Sequence, residues 1–130
     1  MAPAAEWNQQ TLSYPAGAAI PAHRFVKFDA NRAVIACSAT TDRPIGIVTE
    51  AVEAGETARI CYSGIALLEA SAAIALNALV GTTADGSGVA LTPGAAATAY
   101  VAAIAHEAAG ADGDLIAVLV TPATNIALTA

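Results

Sequence analysis

Basic residues are scarce in this chain. Five of its 130 residues are Lys or Arg, against eleven Asp or Glu, and the formal net charge is −6. Nucleic-acid binding draws most of its affinity from cations set against phosphates. Arg24, Lys27, Arg32, Arg43 and Arg59 are scattered and form no basic stripe, so no nucleic-acid partner is expected. The acidic excess reads instead as a solvated surface that keeps a protein soluble at high local concentration. Aromatics are few as well, one Trp, three Tyr and two Phe, although 56% of the residues are hydrophobic, about half of them Ala. A core of such slim side chains favours flat, closely packed layers.

Long hydrophobic runs are also missing. The longest candidate, residues 65–80, is interrupted by Glu69 and Asn77 and falls short of the ~20 apolar residues that a helical span needs, so no membrane partner is expected. The opening "MAPAAEWNQQ" has neither the positive start nor the apolar run of a secretion signal, and assembly in the cytoplasm is expected. Cysteine is limited to Cys37 and Cys61, both in apolar surroundings. A reducing compartment favours two buried thiols over a disulfide.

Residues that could carry chemistry fail at the spacing each chemistry demands. "HEAAG" at 106–110 copies the first half of a zinc-protease helix, but the second His four residues on is absent, so His106 is expected as an exposed residue at a strand end. "GTTADGSG" at 81–88 places Gly81 and Gly86 at the spacing of a phosphate-cradling loop. Ser87 and Gly88 stand where that motif needs Lys and then Ser or Thr, and Asp85 would repel phosphate. A hairpin loop accounts for these glycines. Neither cysteine has a nearby His, and Glu53 and Glu56 fall in a turn, where they read as solvated caps. No catalytic residue, metal ligand or cofactor is assigned, and the chain reads as a structural or binding module rather than an enzyme.

What the chain does contain is an internal echo. "AAIPAHRFV" at 18–26 and "AAIALNALV" at 72–80 begin 54 residues apart. "IVTEAVEAGETARICY" and "IAHEAAGADGDLIAVLV" also correspond, with Gly55-Glu56 and Gly113-Asp114 as one turn in two copies. These repeats predict a domain of two similar halves of about 55 residues. Pro21 falls where Ala75 stands in the second copy, and in a helix interior it would cost ~3 kcal/mol. "SAAIALNALVG" at 71–81 is therefore expected to be extended despite its helix-forming composition, with room for one weak helical turn near 69–74.

Strand signals are plainer elsewhere. "ARICYSG" alternates Ala58, Ile60 and Tyr62 with Arg59, Cys61 and Ser63, and "DLIAVLV" is a short apolar run between turns. Turn-rich stretches such as "DANR", "TTDRP", "EAGE", "ADGSG", "TPG" and "GADG" recur between short apolar segments. Together they predict a mostly β single domain, a barrel or sandwich, over residues 17–130. Residues 1–16 show neither period and are expected as an extended N-terminal arm. Trp7, Tyr14 and Pro15 lie in it, and the two aromatics are its candidate anchors on a partner. On this reading, removing residues 1–14 would leave the domain folded.

"AGAAIPAHRFVKFDA", "RPIGIVTEAVEAGETARICYSGIALLEASAAIALNALV" and the closing "AAIAHEAAGADGDLIAVLV" together resemble the tailed-phage capsid decoration, or cement, proteins over about residues 16 to 121. The motifs are placements of glycine and alanine, with no nucleophile or ion ligand among them. The resemblance implies a small β-barrel or tulip-like fold. It also implies a homotrimer on the outer surface of the expanded phage head, holding the shell against the pressure of packaged DNA. The arm with Trp7, Tyr14 and Pro15 would then reach the major capsid protein, for instance by adding a strand to a sheet edge. Two other readings stay open at this point: a tail- or fibre-associated phage β module, and a nucleotide-dependent DNA recombinase.

Overall fold

The turn-rich stretches fall between strands in the computed structural model, which describes residues 7–92 and 99–125. Its nine strands are β1 (Trp7–Pro15), β2 (Arg24–Phe28), β3 (Val34–Ala36), β4 (Gly46–Val48), β5 (Thr57–Glu69), β6 (Leu79–Thr82), β7 (Gly88–Leu91), β8 (Tyr100–Ala105) and β9 (Leu115–Asn125). No helix occurs among the described residues. The strands form one sheet in the order β3-β2-β4-β5-β9-β8-β6-β7, with β1 paired to β5. Every strand pairing is antiparallel, and the sheet curls into a half-barrel.

"SAAIALNALVG" is extended and irregular until it enters β6. The Ile74 N–H donates to Ala109 O (3.0 Å) and the Asn77 N–H to Ala105 O (2.8 Å), so backbone groups that a helix would use internally are bound to another segment. Asn77 has a φ of 69°, a left-handed conformation that Asn tolerates better than most residues. His23, in the matching "AAIPAHRFV", has a φ of 65°. The weak helical turn for which the sequence left room near 69–74 does not form; Glu69 closes β5, and Ala70 and Ile74 make isolated bridges to Gly88 and Ala109.

The N-terminal segment departs from expectation. Residues 7–15 are a strand of the sheet rather than an arm outside it, running from Trp7 opposite Ile65 to Pro15 opposite Thr57. The reason lies in β5: Cys61 and Ile60 pair with Ile47 and Val48 of β4 on one edge, and β1, with Thr11 and Leu12 opposite the same two residues, satisfies the backbone of the other edge. Removing residues 1–14 would strip nearly all of this strand from the sheet, so a folded remainder is no longer expected.

Several backbone contacts occur twice. Ala16 bridges Val34 and Ala70 bridges Gly88, both parallel; Ile20 bridges Val52 and Ile74 bridges Ala109, both antiparallel. The Gly55 N–H donates to Ala16 O and the Gly113 N–H to Ala70 O, each at 2.8 Å. Both glycines have left-handed φ values, 87° and 92°, in turns that lead into the long strands β5 and β9.

The interior divides into two clusters. One gathers Val26, Val34, Val48, Ala58 and Ile60 with Ala16 and Ile20. The other joins Phe25, Cys37, Ile47 and Cys61 to residues of the later strands, among them Leu68, Val80, Ala103 and Val118. Both cysteines are buried thiols. Burial pushes the Cys37 thiol up to about 12, and the Cys61 thiol donates to Ser63 O (3.2 Å).

Candidate functional site

The loop that mimics a phosphate cradle is a closed hairpin between β6 and β7. Three of its backbone donors are engaged within it: Thr83 N–H to Ser87 O (2.9 Å), Gly86 N–H to Thr83 O (3.3 Å), and Ser87 N–H to Asp85 Oδ1 (3.1 Å). The Ser87 and Thr83 hydroxyls also donate to that carboxylate oxygen. Hydrogen bonds from Ser87 and Thr83 hold Asp85 down to about 2, so the loop carries a negative charge where a phosphate site needs donors. Lys27 lies elsewhere, 2.8 Å from Asp42 Oδ2 and 3.0 Å from Ser38 Oγ. Partial burial alone would raise Asp42, but Lys27 and the N–H groups of Ser38 and Ala39 together hold it below the usual carboxylate range.

Several other ionisable groups fix turns and junctions. Glu56 accepts from the Glu53 N–H (2.7 Å), and Asp114 accepts from the N–H groups of Gly110 and Ala111 (2.8 and 3.2 Å). His106 is exposed just beyond β8, and its neighbour Glu107 accepts from the Ala117 N–H (2.7 Å). Arg24 reaches Glu69 Oε2 (2.9 Å) and Asp85 O (2.9 Å), locking β2 to the end of β5 and to the hairpin. Among the described residues no three His, Cys, Asp or Glu side chains group as a metal site. An open cleft of about 240 Å³ lies at Ser13, Glu50, Thr57 and Arg59, and a shallower one of about 360 Å³ lies beside the hairpin at Ser71, Thr83, Asp85, Ser87 and Asp112, where the two carboxylates make the lining acidic.

An unpaired strand edge lies along β1. Among the described strands this one pairs with β5 alone, so its second edge carries no ladder. Trp7 is held at Ile65 by backbone pairing, and the Gln9 amide donates to Ile65 O (3.0 Å). Tyr14 is half-buried, its ring meeting Phe28 edge to face at 4.9 Å; Pro15 is exposed. The three expected anchor residues therefore do not form one cluster, because Trp7 and Pro15 stand at opposite ends of a nine-residue strand. Sequence reasoning missed Leu12 and Phe28, which remain exposed beside Tyr14. Phe28 ends a five-residue strand whose Val26 is buried, and nothing in "RFVKF" separates a core position from a rim position.

These observations define an all-β module whose polar side chains secure its own turns and whose uncommitted surface is strand edge and apolar rim. The chain belongs to the phage cement protein family, whose family model matches residues 6–121. That makes it a phage structural, capsid-associated protein. Among solved structures it is similar to the head fiber gp8.5 N base of bacteriophage phi29, with a TM-score of 0.66 and 16% identity over 89% of this chain and 97% of that one. At that identity the likeness is one of fold. No curated protein matches the chain.

Proposed function

We propose that this chain is a non-enzymatic decoration protein that binds the outer surface of the expanded phage head as a homotrimer and stabilises it against internal DNA pressure. The observation that carries the reading is the cement-family match over residues 6–121. The commitment of Asp42, Glu56, Asp85, Glu107 and Asp114 to backbone N–H groups supports a binding role without catalysis. The major capsid protein is the proposed partner, met along the open edge of β1 with Trp7 as anchor. Tyr14, engaged with Phe28, and Pro15, opposite Thr57, set the course of that strand. Backbone pairing at a strand edge requires little particular sequence of the partner, which suits a strand of Gln, Thr and Ser.

The stabilisation is linkage. A subunit that binds the expanded lattice in preference to its precursor lowers the free energy of the expanded state at every site it fills, by ~2.7 kcal/mol per site when free protein stands at a hundred times its dissociation constant. Heating undecorated, DNA-filled heads with and without the protein tests this. The temperature of DNA release rises with protein present; an unchanged release temperature at saturating protein would count against the function. The likeness to a head fiber base favours a second reading, in which the domain is a base that carries further structure outward.

A further inference from the structure

Inside the chain, one layer of sheet covers another. Cross-strand pairing aligns Cys61, Ile47 and Phe25 on one face of β5, β4 and β2, and Cys37 joins them through its N–H to Phe25 O (3.0 Å). All four are buried in one cluster with Ala66, Leu68 and Val80. Cys37 also hydrogen-bonds with the side chain of Thr82, which is 3% exposed.

The same registers recur later in the chain. Leu12 opposes Ile60 and Tyr14 opposes Ala58, just as Ala66 opposes Val118 and Leu68 opposes Ile116. On the other face, the chain of pairs from Cys61 through Ile47 to Phe25 has its counterpart running from Leu119 through Ile104 to Leu79, with Leu91 beside it opposite Leu79. This second apolar row is only half-buried. The inner side is uncovered in the first copy: Leu12 and Phe28 are 43% and 39% exposed, whereas Ala66, the counterpart of Leu12, is 0% exposed under the first row.

We propose that copies of this chain associate head to tail, the row Leu119, Ile104, Leu79 and Leu91 of one copy packing over the rim Leu12, Tyr14 and Phe28 of the next, as the Cys61 row packs over Ala66, Leu68 and Thr82 within each chain. The repeat selects a second copy as the occupant, because the later strands carry the register of the row that already covers such a rim inside the chain. All five cations fall within residues 24–59, where Asp29, Asp42, Glu50, Glu53 and Glu56 balance them, while residues 70–130 contain Asp85, Glu107, Asp112 and Asp114 and no Lys or Arg. A head-to-tail contact sets the acidic part against the balanced one, and a symmetric contact between the later strands sets acid against acid. Such a contact closes into a ring or runs on as a filament. The trimer proposed above selects the ring, and the inference rests on that reading for closure alone.

One bond of the internal joint has no counterpart between copies. The Glu69 N–H donates to His23 O (3.0 Å), but Pro15, at the matching register, has no N–H to give. The contact between copies therefore rests on side-chain packing and is weaker than the joint inside the chain.

Cysteine cross-linking tests the contact in solution, with no capsid present, so failure of a capsid assay and failure of this one are separate results. Full-length Phe28→Cys and Leu91→Cys proteins, placed where the Cys37–Thr82 contact would recur, are mixed and oxidised. Leu12→Cys with Ile104→Cys provides a second pair should one variant melt early, and the exposed Leu76→Cys serves as the off-surface control. The expected result is covalent dimer in the mixtures and none from any variant alone. Dimer from a single variant as abundant as from its mixture, or no dimer in either mixture of folded variants, would overturn the proposal.

Discussion

Arg24 Nη2 lies 2.9 Å from Glu69 Oε2, and the same guanidinium donates through Nη1 to the backbone of Asp85. One side chain thus joins β2, the end of β5 and the β6–β7 hairpin, which lie far apart in sequence. Arg24 is 15% exposed, and its Nε is buried with no partner among the described residues. Replacing Glu69 by Ala removes the nearer of two carboxylates from a largely buried cation and leaves it only Asp85 Oδ2, at 3.7 Å. Urea denaturation should show a loss of about 2 kcal/mol. A loss below about 0.5 kcal/mol would mean that the pair is screened like a surface ion pair.

Two glycines separate backbone strain from steric conflict. Gly55 and Gly86 have φ values of 87° and 85°, yet a Cβ at Gly55 meets nothing, while at Gly86 it lies 2.9 Å from Phe25 O. Gly55→Ala should cost about 1 kcal/mol, the strain of a left-handed residue. Gly86→Ala should cost about 2 to 3 kcal/mol, because the hairpin must also withdraw from β2 and weaken the Phe25 N–H bond to Gly86 O (2.7 Å). Equal losses in thermal melts would refute the close docking of the hairpin.

Asp85 makes the hairpin sensitive to acid. Its folded-state pKa, near 2, is below its ordinary 3.8, so the stability it contributes is full above the unfolded value and disappears as pH falls through the folded one. The wild type should lose stability between about pH 4 and about pH 2, and Asp85→Asn should lose less over that interval. The side chain is 68% exposed, so the difference is modest. Urea midpoints followed across this range check it, and parallel curves for the two proteins would contradict it.

The edge contact of Tyr14 with Phe28 ties β1 to β2. A double-mutant cycle with Tyr14→Leu and Phe28→Leu should give a coupling of about 0.5 to 1.5 kcal/mol. Additive effects would leave β1 held by its ladder to β5 alone.

Much of the fold was legible in turn chemistry, and less in the apolar pattern. Pro21 and the loops at 29–32, 53–56 and 110–113 marked an all-β chain where the Ala and Leu content suggested helix. The alternation in "ARICYSG" set Ala58, Ile60 and Tyr62 on one side and Arg59, Cys61 and Ser63 on the other; Ala58 and Ile60 are buried and Tyr62 is half-buried, yet Cys61 is buried too because a second layer covers the middle of β5. That layering is a tertiary fact, invisible to a period of two. β1 was missed for a related reason: its inward Leu12 and Tyr14 sit at an open rim among Gln, Thr and Ser, so the strand reads as polar and aperiodic. The same ambiguity hides the second apolar row, since Leu79, Ile104 and Leu119 look like core residues in sequence and stand half-buried in the fold.

Co-sedimentation with phage heads tests the central claim most directly. Purified protein is incubated with expanded, undecorated capsids and, in parallel, with unexpanded precursors, and both are pelleted. The account predicts saturable pelleting with expanded capsids and little with precursors. Protein that stays in the supernatant with both, or pellets equally with both, would contradict it.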